Sequence, residues 1–332
     1  RSHLKNLRGS LMKATILNSF VALAMALHLA AVAEEAEKEL EGVVNVAAFD
    51  MPESAYLSEE SRSAMKYFRE VYGPEFFAFA KDCGDLKNFD GDRARAKGIR
   101  DCVSRSYFET SIYKDTLAKH PVDISAEDIA GVYTEIFVPQ GGVSEKNKDR
   151  ILISIHGGGF MNGARSFSHT EAMQVADLGK IKVISPDYRQ APEYRHPSAV
   201  DDAFAVYKAT LKEYEPRNIG VFGCSAGAML TAQLMAKILQ EGLPLPAAAG
   251  LFCAAIPFTM NEVPGAFKMS NGESVYLVSA MYGNPRPAEE LINTDVNPYF
   301  LGVSADDPVV APGDFDEIVA QFPPTLLISG TR

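Results

Sequence analysis

The chain has 332 residues, 47% of them hydrophobic, and a formal net charge of -11, which is typical of a globular protein with one large domain and a smaller accessory region. An anion of this size is repelled by nucleic acid and by acidic lipid surfaces, and no basic stripe with interleaved aromatic residues is present, so we predict no nucleic-acid partner. The cysteines form no CxxC pair and accompany no paired histidines, which argues against a metal site; they are Cys83, Cys102, Cys224 and Cys253.

The first 33 residues are interpreted as two segments that precede the mature protein. Residues 1–11 are a non-native or upstream segment, and residues 12–33 combine one lysine, an apolar run and an A-x-A pattern at Ala31, Val32 and Ala33. This order is typical of a secretory signal peptide. A transmembrane anchor is the alternative, but the small-residue end and the acidic residues from Glu34 onward favour cleavage. We therefore expect an exported protein, periplasmic or secreted, with no stable membrane span after signal removal.

Residues 34–125 are predicted to form an N-terminal helical cap region. The pattern is helical over about residues 57–119, with aromatic-rich runs and no glycine-rich motif. Two of the cysteines, Cys83 and Cys102, lie in this region. If the protein is exported they could form a disulfide, and they could equally remain two free thiols.

Residues 126–332 are predicted to form the core domain, because short apolar runs alternate with helical patterns. The predicted strands cover residues 132–138, 151–155, 182–185, 218–222 and 249–254, and the predicted helices cover 168–178, 198–214 and 226–240. Such alternation indicates the α/β class, with a mostly parallel sheet and helices on both faces. Residues 265–283 could form a second cap element.

A triple-glycine motif follows the strand predicted at residues 151–155. His156 is followed by Gly157, Gly158 and Gly159, and acyl transfer needs such a stretch of unobstructed backbone N–H groups to hold the negative carbonyl oxygen. We assign the N–H groups of Gly158, Gly159 and Ala226 to this oxyanion hole. The alternative, a phosphate-binding loop, is disfavoured because no Gly-Lys-Ser/Thr follows and the spacing is not GxGxxG. His156 is expected to orient the loop by hydrogen bonding.

A second motif places Ser225 between Gly223 and Gly227, after an apolar strand and before a helix that is rich in alanine and leucine. Small residues two positions before and after a serine permit the strained turn that presents its hydroxyl to a substrate. A serine hydroxyl is a weak nucleophile unless a base lies within hydrogen-bonding reach. The pattern predicts that Ser225 is a catalytic nucleophile.

The segment at residues 185–202, SPDYRQAPEYRHPSAVDD, lies between these two motifs. Together with HGGGF and GCSAG, it closely resembles the hormone-sensitive-lipase-like esterases, the bacterial family IV carboxylesterases of the α/β-hydrolase superfamily, over roughly residues 131–332. The resemblance implies an eight-stranded core with an N-terminal helical cap, hydrolysis of a small-molecule ester of short to medium acyl length, and no metal or organic cofactor. Charge clusters beside active-site loops usually hold those loops in place, so we expect structural ion-pair and capping roles for the charged residues Asp187, Arg189, Glu193, Arg195 and Asp201. Two positions depart from the family pattern, Cys224 and Ala228.

The catalytic acid and histidine of such a site are not found in this chain. In this fold the triad runs in the order Ser, acid, His, yet all six histidines precede Ser225. We therefore expect a C-terminal truncation that removes the last strand and helix, and a nearly inactive polypeptide. The alternative is a non-catalytic ligand-binding member of the superfamily that has lost its base, as the plant gibberellin receptors have. Amide or lactone hydrolysis would use the same machinery, and oligomeric state is not predicted.

Overall fold

The computed structural model describes residues 56–86, 91–253, 297–304 and 306–328. The predicted signal peptide and the second cap element at residues 265–283 lie outside these ranges. Within them, no helix combines the length and the apolar content needed to cross a membrane.

Before the sheet, the described part of the chain contains helices joined by turns, and no strand. Three of these helices begin after a capping residue whose side-chain oxygen accepts a backbone N–H of the first turn. The capping residues are Ser58, Asp92 and Thr110. The elements are α1 (Glu59–Tyr67), a π-helical turn (Phe68–Tyr72), α2 (Gly73–Ala78), α3 (Arg93–Phe108) and α4 (Ser111–Lys119).

A seven-stranded sheet follows, in the order β1-β2-β4-β3-β5-β6-β7. β2 is antiparallel to both of its neighbours, and every other adjacent pair of described strands is parallel. The strands are β1 (Val122–Ile129), β2 (Val132–Pro139), β3 (Ile151–Ile155), β4 (Lys182–Pro186), β5 (Ile219–Cys224), β6 (Ala248–Phe252) and β7 (Thr325–Ile328). The predicted α/β class with a mostly parallel sheet is confirmed.

Helices cover both faces of this sheet. They are α5 (Phe167–Gly179), α6 (Ser198–Thr210), α7 (Ala226–Gln240) and the short α8 (Asp316–Val319). Successive strand residues point to opposite faces, so Ile184 and Val221 pack on the side of α6 and α7, whereas Val183 and Phe222 pack on the side of α5. The predicted helices on both faces are therefore confirmed.

Strand β1 was not predicted from the sequence. It pairs with β2 along its full length, but only Val122 is buried and the residues from Asp123 to Asp128 are exposed. A strand at the edge of a sheet needs no apolar alternation, so hydrophobic periodicity gives no signal for it. Helix α6 also ends earlier than predicted, at Thr210.

The two cysteines of the helical segment form a disulfide. Cys83 is bonded to Cys102 of α3, with an S–S distance of 2.03 Å. Beside them lies a small apolar cluster made of Leu86, Ala96, Ile99 and Val103. Because this cluster is small, the cross-link is an important constraint on the helical segment.

Replacing both cysteines by serine should lower the free energy of unfolding. The disulfide closes a loop between residues 19 positions apart, and the entropy of such a loop in the unfolded chain corresponds to about 3 kcal/mol. Urea denaturation measures the change. Cys253→Ser, at an exposed free thiol, is the matched control and should leave the midpoint unchanged. An unchanged midpoint in the double variant would contradict the prediction.

Candidate active site

The glycine motif and the serine turn meet because the strands that carry them are parallel neighbours. β3 pairs with β5 so that Ile155 lies opposite Gly223, and both chains leave the sheet at the same edge. A Cβ atom built on Gly157 would lie 3.4 Å from the Ser225 Cβ and 2.9 Å from the Cys224 carbonyl oxygen. The two predicted motifs are therefore in contact, and position 157 has no room for a side chain.

Ser225 occupies a strained turn between β5 and α7. Its φ of 54° and ψ of -122° are rare for a residue with a side chain, and its N–H donates to the Phe252 carbonyl at 2.9 Å. The turn is tight because a Cβ on Gly227 would lie 1.9 Å from the Ile155 carbonyl oxygen, and one on Gly223 would lie 2.3 Å from the Gly227 carbonyl oxygen. Ser225 itself remains exposed to solvent.

Three backbone N–H groups near this serine have no hydrogen-bond acceptor among the described residues, those of Gly158, Gly159 and Ala226. Gly158 has a φ of 116°, a conformation that an L side chain rarely adopts. Ala226 is the first residue of α7, so its N–H belongs to the positive end of a helix dipole. Free donors of this kind are suited to an anionic oxygen.

His156 is fully buried below the glycine loop. Its Nδ1 lies 2.8 Å from the Gly157 carbonyl oxygen, and its ring stacks on Tyr188 with 4.3 Å between centroids. Burial lowers the pKa of His156 to about 4, so the neutral ring donates its Nδ1–H to that carbonyl. In this position the imidazole supports the loop from beneath.

Side chains from distant parts of the chain hold two further carbonyl groups of this loop. The Tyr188 hydroxyl donates to the His156 carbonyl at 2.9 Å, and the Asn297 amide donates to the Gly159 carbonyl at 2.9 Å. Phe160 is buried and stacks on Tyr299 with 4.5 Å between ring centroids. These contacts restrict the loop to one conformation.

Arg100 of α3 links the helical segment to the site. Its Nε donates to the Met161 carbonyl at 2.6 Å, and its guanidinium donates to the Ala191 carbonyl at 2.6 Å and to the Glu193 carboxylate. Burial opposes the ionisation of Glu193, but the hydrogen bonds from Arg100, a backbone hydrogen bond and the charges of Arg100 and Arg93 together lower the Glu193 pKa. Sequence analysis missed Arg100, because its partners are 61 to 93 positions away along the chain.

Most of the charged residues of the 185–202 segment form ion pairs. Asp187 pairs with Arg165 at 2.7 Å, Arg189 with Asp202 at 2.8 Å, and Asp201 with Lys237 at 3.0 Å. Each pair joins this segment to itself or to a neighbouring element, which is the arrangement expected of residues with structural roles.

Cys224 directly precedes the serine. Burial raises the pKa of its thiol to about 12, so the thiolate is scarce at neutral pH. The thiol is therefore a poor competitor of Ser225 as a nucleophile.

None of the described residues forms a hydrogen bond with the Ser225 hydroxyl. Three described histidines form hydrogen bonds with other groups. His120 contacts Asp177, His169 contacts Glu135, and His156 contacts the Gly157 carbonyl. The fourth, His196, packs on Tyr299 and Phe300. The part of the chain that is described thus supplies free N–H donors and an exposed serine hydroxyl, with no base in hydrogen-bonding contact with that hydroxyl.

Comparisons with known proteins agree with this arrangement. A family model described as the α/β-hydrolase fold matches residues 152–332. An esterase of Acinetobacter venetianus is 26% identical over 212 residues, which are 64% of this chain and 64% of that protein, just under two thirds of its length.

Two crystal structures share the fold. An esterase named E25 has a TM-score of 0.63 and 24% identity, with 88% of this chain and 82% of that chain covered. An esterase from the bacterial hormone-sensitive lipase family has a TM-score of 0.54 and 23% identity, with coverage of 76% and 77%. Together with the family match, these structures confirm the α/β-hydrolase fold that the motifs imply.

Gly227→Ala should destabilise the protein strongly. The added Cβ would lie 1.9 Å from the Ile155 carbonyl oxygen, so the backbone of β3 or α7 must move. We expect a loss of about 3 kcal/mol in the free energy of unfolding, measured by urea denaturation. The matched control is Gly98→Ala, where a Cβ would meet nothing within 4 Å and should stabilise α3 by about 0.5–1 kcal/mol. Equal stabilities for the two variants would refute the close approach.

Proposed function

Because this chain belongs to the α/β-hydrolase fold family, we propose that it is a serine carboxylesterase of the hormone-sensitive-lipase type with Ser225 as its nucleophile. One observation carries the proposal: an exposed serine at a strained turn contacts a glycine loop and lies beside backbone N–H groups that have no described acceptor. A nucleophile next to preorganised donors is the arrangement that acyl transfer requires.

In the proposed reaction, the Ser225 oxygen attacks the ester carbonyl while its proton passes to a general base. The carbonyl oxygen becomes an oxyanion, which accepts hydrogen bonds from the N–H groups of Gly158, Gly159 and Ala226. As this intermediate collapses, the ester C–O bond breaks, the base returns the proton to the departing alcohol, and the acyl group stays on Ser225. Water then attacks the acyl carbonyl and gives its proton to the base, which passes it to the Ser225 oxygen as the carboxylic acid leaves. Each donor of such a hole contributes about 100-fold to 1,000-fold to kcat.

The preorganisation of these donors is the chain's own contribution to the reaction. The Gly157 carbonyl is held by His156, and the Gly158 carbonyl accepts from the N–H groups of Met161 and Asn162. The N–H groups on the other side of these peptides are therefore fixed before the substrate arrives. A fixed dipole needs no reorganisation as the charge develops, so its stabilisation is larger in the transition state than in the ground state.

For the substrate we propose an ester with a short to medium acyl chain. The resemblance to the hormone-sensitive-lipase-like esterases supports this choice, as does the similarity to a protein named as an esterase. We further propose export, which the signal-like segment at residues 12–33 and the Cys83–Cys102 disulfide support, because disulfides persist in oxidising compartments.

The second candidate is a ligand-binding protein that retains the pocket and lacks catalysis. It is favoured by one observation, that no described residue hydrogen-bonds the Ser225 hydroxyl. Such a protein would bind an ester reversibly and return it intact.

Turnover of p-nitrophenyl butyrate should distinguish these functions. The wild-type protein expressed from its complete gene should release p-nitrophenol and gain the mass of a butyryl group, and so should its Ser125→Ala variant, a control at an exposed serine of β1. Ser225→Ala should form no adduct and should lose at least about 1,000-fold in rate. Release is followed by absorbance, and the adduct by mass spectrometry of the intact protein.

Retained turnover in Ser225→Ala would exclude Ser225 as the nucleophile. Saturable binding of the intact ester by all three proteins, with no release and no adduct, would instead favour the ligand-binding function.

A further inference from the structure

A glutamate of α5 reaches the glycine loop from beneath. The Glu171 Oε1 accepts the Gly157 N–H at 3.2 Å. A Cβ atom built on Gly157 would lie 3.4 Å from this oxygen and 3.4 Å from the Ser225 Cβ. The carboxyl group is therefore next to the point where the loop contacts the serine turn, at a position that the sequence motifs do not include.

The second carboxyl oxygen of Glu171 is buried and has no hydrogen-bond partner in the described structure. No lysine, arginine or histidine of the described ranges forms an ion pair with it. Burying an acid without a cation and with one oxygen unpaired lowers the free energy of unfolding, so such a group is rare unless it has a function.

The groups that face this carboxyl are also uncharged at neutral pH. They are Tyr107 of α3, Tyr188 in the segment after β4, and Cys224 of β5. Burial raises the pKa of all three, and the charge of Glu171 raises them further. Burial likewise raises the pKa of Glu171 to about 8, against the opposing hydrogen bond from Gly157. At neutral pH the carboxyl is therefore mainly protonated.

We propose that Glu171 is a positioning residue of the acyl-transfer site, whose carboxyl holds the Gly157 N–H and so fixes the glycine loop against the Cys224–Ser225 turn. Its effect on turnover rests on the proposed function, whereas its effect on the loop does not. Without this acceptor the Gly157 N–H would be buried and unpaired, and the peptide could rotate. Rotation of the His156–Gly157 peptide would change the φ of Gly157 and so would displace the next peptide, which carries the Gly158 N–H.

The charge of the carboxyl matters as well as its hydrogen bond. A neutral carboxyl accepts the Gly157 N–H without adding negative charge below the developing oxyanion. Once ionised, it would repel that oxyanion across a region of low dielectric. Glu171 therefore supports turnover in its protonated form and opposes it in its ionised form.

Hydrogen exchange tests the positioning role without any assay of activity. The probe is the exchange rate of the peptide that covers residues 156–163, measured by mass spectrometry. Glu171→Ala should exchange faster by about tenfold or more, since the acceptor is lost. Glu171→Gln keeps an acceptor oxygen and should stay close to wild type. Gln174→Ala, at an exposed position one turn along α5, is the control and should change nothing. Equal rates in Glu171→Ala and wild type would overturn the proposal.

The pH profile tests the role of the charge. The kcat of the wild type for p-nitrophenyl butyrate should fall by about tenfold as the pH rises through 8, with KM little changed. Glu171→Gln cannot ionise and should keep its kcat across this range. If the variant lost activity in parallel with the wild type, the charge would have no role.

The two measurements test different claims, so a negative result in one does not decide the other. A wild type that does not hydrolyse the ester would count against the proposed function, while the exchange rates would still decide whether Glu171 holds the loop. If Glu171→Ala does not fold, the hydrogen exchange of residues 156–163 in Glu171→Gln tests the proposal. An exchange rate equal to that of the wild type supports the acceptor role, and a faster rate contradicts it.

Discussion

The pairing of β3 with β5 is the constraint on which the site depends. Because Ile155 lies opposite Gly223, the chain that leaves β3 and the chain that leaves β5 emerge side by side. The glycine positions then allow the two backbones to approach more closely than side chains permit, as the 2.9 Å separation between a Cβ on Gly157 and the Cys224 carbonyl oxygen shows. A shift of this register would separate the serine from the N–H groups even if every residue were retained.

The rest of the structure stabilises this contact from three directions. His156 binds the Gly157 carbonyl and Glu171 binds the Gly157 N–H, so the peptides on both sides of this residue are held. Arg100 reaches the loop from the helical segment, and Asn297 reaches it from a part of the chain 138 positions away. The carbonyl oxygens from His156 to Gly159 therefore all accept hydrogen bonds, while the N–H groups of Gly158 and Gly159 are left free, which is the condition for a preorganised oxyanion hole.

The sequence predicts the parts of this protein whose signals are local. Strand β3 and helix α7 were placed at their observed bounds, because an apolar run and a 3.6-residue spacing are each visible within one short window. Glycine and serine motifs likewise encode backbone geometry directly. Strand β1 is stabilised by pairing and not by burial, and Arg100 and Glu171 act through partners distant in sequence or on another element. Such contacts exist only after folding, so no pattern along the chain reports them.

A crystal structure of the protein after reaction with an alkyl phosphonate ester tests the central claim most directly, because the adduct imitates the tetrahedral intermediate of acyl transfer. If the serine turn and the glycine loop form one site, phosphorus will be bonded to the Ser225 oxygen. The phosphonyl oxygen will then lie about 2.7–3.1 Å from the nitrogens of Gly158, Gly159 and Ala226. Phosphorus on another side chain, or a phosphonyl oxygen directed to solvent away from these nitrogens, would contradict the account.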